Sequence, residues 1–147
     1  MGAEALRDLC ERQTTGAGRV IAALELGIVT SDAERLATFY VDGLGFSVES
    51  VRAFPRGSVY RLRRDQARCK LFQPAATLSE RPRFDPWYLG PGTSYGALLV
   101  GNAEEEVDRA RSAGALVLEE LVSHRPGARY ALISDPDGNV WEILEEG

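Results

Sequence analysis

Residues 129–146 read RYALISDPDGNVWEILEE: an extended apolar run, a turn, and a second extended run that ends in acids. Ser134-Asp135-Pro136-Asp137-Gly138-Asn139 sets Pro, Gly, Asn and Asp between two apolar segments, the composition of a tight connection between adjacent antiparallel strands. Side chains alternate along a strand, so Val140, Glu142 and Leu144 share one face while Trp141 and Ile143 share the other. If the first face lines a cavity, Glu142 is a chemical group and not a surface charge.

Working outward, the same grammar recurs. Ser94–Val100 predicts a strand and Ala103–Ala113 a helix closed by Gly114, with Glu104-Glu105-Glu106 in its first turn, where acids complement the helix dipole. Strands follow near Leu116–Val122, Ala128–Ser134 and Asn139–Glu145, and His124 falls in the turn before the second of these. An earlier set has the same order. Val20–Val29 is a strand with Ala22, Leu24, Leu26 and Ile28 on one face and Ala23, Glu25, Gly27 and Val29 on the other. A helix runs from about Asp32 to Asp42, opened by a Ser31/Glu34 capping box, carrying Leu36, Phe39 and Tyr40 inward, and ended by Gly43-Leu44-Gly45. Strands are expected at Phe46–Phe54, Ser58–Arg64 and Arg68–Gln73.

A shift of 70 residues also aligns Gly57 with Gly127, Tyr60 with Tyr130, Leu62 with Leu132 and Asp65 with Asp135, which points to internal duplication. The expected architecture is α+β, two βαβββ modules. Residues 1–19 form an arm or short helix; residues 20–146 form one domain, with module one at about 20–74, a loop at 75–92, and module two at about 93–146. The stretch Pro74–Gly92 holds Pro82, Pro86 and Pro91 beside Phe84, Trp87 and Tyr88, and long irregular segments of this kind are linkers or lids.

Composition narrows the function classes. The chain has 147 residues and 44% hydrophobic composition, enough for one domain with a core. Its net charge is −5, and no dense basic run or basic helical stripe argues for a nucleic-acid partner. Runs such as Ile21–Leu24 and Ala97–Val100 are far shorter than the ~20 residues that span a bilayer. The start, MGAEALRDLC, lacks the pattern of a signal peptide, and Cys10 and Cys69 fit neither a disulfide framework nor a metal motif. A cytoplasmic, reduced protein is expected.

At this point the chain resembles the vicinal oxygen chelate superfamily, the glyoxalase, bleomycin-resistance and extradiol dioxygenase fold. The resemblance is carried by Leu24–Asp32 leading into Phe39-Tyr40, by Gly43-Leu44-Gly45-Phe46, and by Asp135–Asn139 with Glu142, and it spans about residues 20–146. It implies two modules forming a curled mixed sheet around a cup, and a homodimer. Metal-dependent members place ligands at four cup positions, often His, Glu, His and Glu. Carried across, these fall on Glu25, Lys70, Tyr95 (Ala97 if the register slips by two) and Glu142.

Lys70 opposes a metal, because an ammonium has no lone pair and carries the metal's own sign. The resemblance therefore implies a site with no cofactor, or at most a divalent cation weakly held by Glu25 and Glu142. Two uses follow. In one, a lyase or isomerase moves a proton next to a carbonyl, with Glu142 and Glu25 as base and acid and Lys70 stabilising developing negative charge. In the other, the protein sequesters an antibiotic-like ligand without catalysis; metal-dependent lyase or dioxygenase chemistry is the third reading. Tyr95, Trp87, Tyr88, Phe72 and His124 are the candidate substrate-binding residues, for a small molecule that is anionic or aromatic. Arg61, Arg63, Arg64 and Arg68 crowd the third and fourth strands, and alternation allows only some of them into the cup.

Overall fold

The computed structural model describes residues 23–147, so the expected arm at 1–19 and residues 20–22 of the expected first strand lie outside the described residues, while Ala23 and Leu24 precede a strand that begins at Glu25 and not at Val20. The elements run β1 (Glu25–Val29), α1 (Ala33–Leu44), β2 (Ser47–Phe54), β3 (Gly57–Arg64), β4 (Ala67–Pro74), a single 3₁₀ turn at Trp87–Leu89, β5 (Tyr95–Val100), α2 (Ala103–Ser112), β6 (Leu116–Arg125), β7 (Ala128–Ser134) and β8 (Val140–Glu146). They form two four-stranded sheets in the orders β1-β4-β3-β2 and β5-β8-β7-β6. In each sheet the first strand pairs in parallel with the last, and the others pair antiparallel. This is the two-module α+β arrangement of the vicinal oxygen chelate fold. Among the described residues, no helix is long and apolar enough to cross a membrane.

Both helices cover one side of the sheets, and a shared core lies beneath them. Leu36, Tyr40 and Leu44 of α1 and Val107 and Ala110 of α2 pack with Ile28, Leu62, Cys69 and Leu71 from one sheet and Leu98, Ala131, Ile133, Trp141 and Ile143 from the other. The helices meet closely at Gly43, where a Cβ would lie 3.0 Å from the Ala113 Cβ. Helix α1 is capped by Asp32, whose side chain accepts from the Arg35 amide, and not by Ser31. The reason is local: Thr30 Oγ1 accepts the Asp32 amide and sets the cap one residue later. Gly45, at φ 70°, closes the helix in the left-handed conformation that glycine tolerates.

Duplication of the element order holds, but the 70-residue letter match does not describe equivalent positions in the hairpins. Leu62 is buried against the helices, whereas on β7 it is Ala131 and Ile133 that face them, and Leu132 faces the opposite side. Because strand side chains alternate with period two, a one-residue offset between the two hairpins puts the matched letters on opposite faces. A closer correspondence lies at the helix starts: the Ala33 amide donates to Gln73 Oε1 at 2.8 Å, and the Ala103 amide donates to Glu145 Oε2 at 2.7 Å.

Candidate ligand-binding site

The Asp135 turn locks the end of β8 to the first module. Asp135 Oδ1 accepts the amides of Asp137 and Asn139, both at 2.9 Å. Its Oδ2 accepts from Asn139 Nδ2 at 2.8 Å and from the Tyr40 hydroxyl at 2.9 Å. Trp141 Nε1 in turn donates to the Tyr40 hydroxyl at 2.9 Å. Burial pushes the Asp135 carboxyl above its ordinary value although these hydrogen bonds pull it down, and burial, aided by the Asp135 charge, holds the Tyr40 hydroxyl well above its own. Asp137 reaches across the modules, accepting from Thr30 Oγ1 at 2.6 Å and from Arg35 Nη2 at 2.5 Å.

A second clasp joins the C-terminal end of α1 and the end of β3 to the first turn of α2. Arg64 donates to both Glu106 oxygens, at 2.9 and 2.6 Å, and to the Leu44 carbonyl at 2.8 Å. Arg109 also pairs with Glu106. Burial raises the Glu106 carboxyl, but the Arg64 hydrogen bonds and the charges of Arg64 and Arg109 more than reverse this and leave it below its ordinary value. Thus Arg64 points away from the cup, and Glu106 is a structural clasp in addition to a first-turn acid. The run Glu104-Glu105-Glu106 alone could not show this, since the partner lies 42 residues away.

The sheet face turned away from the helices carries the candidate site. On the first sheet this face holds Glu25, Gly27 and Val29 of β1, Arg68, Lys70 and Phe72 of β4, Val59, Arg61 and Arg63 of β3, and Arg52 of β2, as the strand register requires. Glu25 is shared: Lys70 Nζ lies 3.4 Å and Arg61 Nε 3.6 Å from its carboxylate oxygens. On the second sheet the face holds Tyr95, Ala97 and Leu99 of β5, Val140, Glu142 and Leu144 of β8, and Tyr130 and Leu132 of β7. Glu142 lies beside Ala97 and Leu132 in the register. Among the described residues it has neither a hydrogen-bond partner nor a cation within 4 Å, and nothing links it to Glu25, Lys70 or Tyr95.

Nearby, the Tyr130 hydroxyl donates to Glu119 Oε1 at 3.0 Å. That hydrogen bond, burial, and the charges of Glu119 and Glu142 raise the hydroxyl above its ordinary value. His124 lies on β6 and not in a turn, because β6 continues to Arg125; its exposed ring stands 5.5 Å from that of Tyr130.

A cavity of about 400 Å³ opens between the edge strands β1 and β5, lined by Gly27, Val29, Tyr95, Val140 and Trp141 and roofed by Leu78 and Arg81 from the loop. A Cβ at Gly27 would meet nothing within 4 Å, so this residue leaves open space beside Lys70. Across the loop a wider space of about 1060 Å³ is lined by Arg81, Phe84, Trp87, Asp137 and Asn139. The Trp87 ring stands edge-on to Tyr95, with centroids 5.5 Å apart, and Tyr88 packs on Trp87 but is otherwise exposed. Phe84 lies against Gly90 and pins the loop to itself. Phe72 shares the Lys70 face.

The four positions implied for a metal do not fit one. Glu25 already faces two cations, Lys70 has no lone pair to offer, and Glu142 has no second carboxylate or imidazole beside it. Among the described residues, no three His, Cys, Asp or Glu side chains gather as a ligand set.

Residues 21–143 match the Glyoxalase/Bleomycin resistance protein/Dioxygenase superfamily. The chain belongs to this superfamily. Its fold is similar to that of SMU.1112c, at 22% identity and a TM-score of 0.70, over 86% of this chain and all of that one. TnmS3, an antibiotic binding protein from Streptomyces sp. CB03234, is similar at 20% identity and a TM-score of 0.62, covering 87% of this chain and 98% of that one. A V278E mutant of glyoxalase I from Zea mays is similar at 18% identity and a TM-score of 0.69, over 97% of this chain and 49% of that one. At these identities the likeness is one of fold. Among proteins with curated descriptions, none matches this chain in sequence.

Proposed function

We propose that this glyoxalase-superfamily protein is a metal-independent, non-catalytic binder of a small molecule with a flat apolar body. One observation carries the reading: the cavity between β1 and β5 is walled by Val29, Tyr95, Val140 and Trp141 and roofed by Leu78 and Arg81 of a loop whose Trp87 packs against Tyr95. Concave spaces of ~300–1,000 Å³ with mostly apolar walls and a few polar groups suit small ligands. The fold it shares with an antibiotic binding protein supports this class of function. The test is titration with a panel of planar aromatic compounds, followed by tryptophan fluorescence and by recovery of the compound. The expected outcome is stoichiometric quenching with the compound recovered unchanged, and weaker affinity in Trp87→Ala.

A second reading, proton transfer next to a carbonyl, draws on the lone carboxylate of Glu142 facing the cup. It lacks a gathered acid–base set, because Glu25 and Lys70 pair with each other. Conversion of any panel compound at a rate abolished by Glu142→Gln would replace the binding reading with this one.

A further inference from the structure

Basic side chains are distributed unevenly over the molecule. In the second module each has an acid: Arg109 pairs with Glu106, Arg111 with Glu120, Arg125 with Glu146 and Arg129 with Glu145. On the open face of the first sheet, Arg61 and Lys70 share the single carboxylate of Glu25, and Arg63 takes Glu49 at 3.5 Å. Arg52 and Arg68, on the same face, have no acid within 4 Å among the described residues. In a chain of net charge −5 this local surplus of positive charge is a property of the face and not of the composition.

The Glu25 contacts, like that of Arg63 with Glu49, are also looser than the pairs that clasp the helices and the second module. Arg64 holds Glu106 by two hydrogen bonds of 2.6 and 2.9 Å, and Arg129 holds Glu145 through three of 2.9 to 3.1 Å. Glu25 lies 3.4 and 3.6 Å from its two bases, beyond the usual span of a charge-assisted hydrogen bond. A loosely held carboxylate facing two cations is readily exchanged for another.

We propose that the open face of the first sheet is an anion site for the carboxylate or phosphate of a small ligand, with Arg61, Lys70 and Arg68 as its anchors and Glu25 as a displaceable internal counter-ion. The inference rests on the binding reading and deepens it by naming the ligand's chemical class. Adjacency of the cavity to this face supports it. Gly27 and Val29 line the cavity, and the register sets them beside Lys70 and Phe72, so a ligand can keep its ring in the cavity and its acid on the cations. Arg81 on the cavity roof adds a further positive charge.

The arrangement makes a prediction that a catalytic Glu25 would not. Glu25→Gln frees two cations and tightens binding of an acid, whereas Lys70→Met and Arg61→Met weaken it. The experiment is calorimetric titration of benzoate, phenyl phosphate and neutral benzyl alcohol into the wild-type chain and these three variants. The expected result is binding of both acids, with affinity falling as sodium chloride is added. Lys70→Met should lower that affinity by roughly tenfold, the scale of one charged hydrogen bond. Glu25→Gln should raise it several-fold. Equal affinity for benzyl alcohol and benzoate would overturn the anion site while leaving the binding reading intact. Weaker acid binding in Glu25→Gln, saturation by neither acid at millimolar concentration, or binding of long polyanions such as heparin alone would also overturn it.

Discussion

On the open face of the first sheet, Lys70 and Arg61 lie within 4 Å of Glu25, Arg68 stands beside it in the register and Arg52 adds a charge on the far strand; on the second sheet, Glu119 and Glu142 stand among Tyr95, Leu99, Tyr130 and Leu144. The two faces are built by the same order of strands, yet one is basic and the other acidic and apolar. Their reverse sides do not diverge in this way. There both sheets contribute to one apolar core, and the polar groups admitted to it are tied down: Asp135 by Tyr40 and Asn139, Glu106 by Arg64. The contrast locates the constraint. Burial against the helices demands matched partners, because an unpaired buried polar group is costly, while an open face can change its charge at little cost to folding.

The contrast can be broken from the helix side first. Asp135→Ala removes the acceptor of four hydrogen bonds and leaves buried donors unmatched, and should lower unfolding free energy by about 3 kcal/mol, read from the denaturant midpoint. Arg64→Met strands Glu106 with Arg109 alone, and since the clasp is partly exposed the expected loss is about 2 kcal/mol. The folded Glu106 carboxyl lies below its unfolded value, so its contribution is present above about pH 4.3 and disappears as pH falls through the folded value. Acid titration of stability should therefore be shallower in Arg64→Met than in wild type. An unchanged acid limb would show that this clasp does not couple to folding.

The open face should behave differently. Lys70→Met and Arg61→Met are expected to shift stability by no more than about 0.5 kcal/mol, within the range of exposed ion pairs. Gly27→Leu should shift it as little, since the site is open, and yet abolish ligand-induced tryptophan quenching by filling the cavity. A large stability loss in either set would erase the distinction between the two sides of the sheets.

Much of this was legible in the letters. The opposite facing of Trp141 and Glu142, the glycine closure of α1 and the boundaries of most strands follow from local alternation and turn chemistry, and they appear within a residue or two of expectation. His124 was displaced onto a strand because β6 runs on past Val122 with irregular register. The cap moved from Ser31 to Asp32 because of a hydroxyl at Thr30. Arg61, Arg63, Arg64 and Arg68 could be divided between faces only after the register was set, and that register separates Arg64 from the other three.

Residue 142 shows the boundary between local and long-range information. That its carboxylate faces away from Trp141 is a matter of period-two geometry within seven residues of strand, and the letters were enough. Which charges meet depends on strands far apart in the chain: Lys70 found Glu25 because β1 pairs in parallel with β4, and Glu142 found Ala97 and Leu132 because β8 lies between β5 and β7. A strand's alternation is written into its own residues, but its neighbours are chosen by the packing of both helices over a shared core. The composition of the cup was therefore settled only when the chain closed.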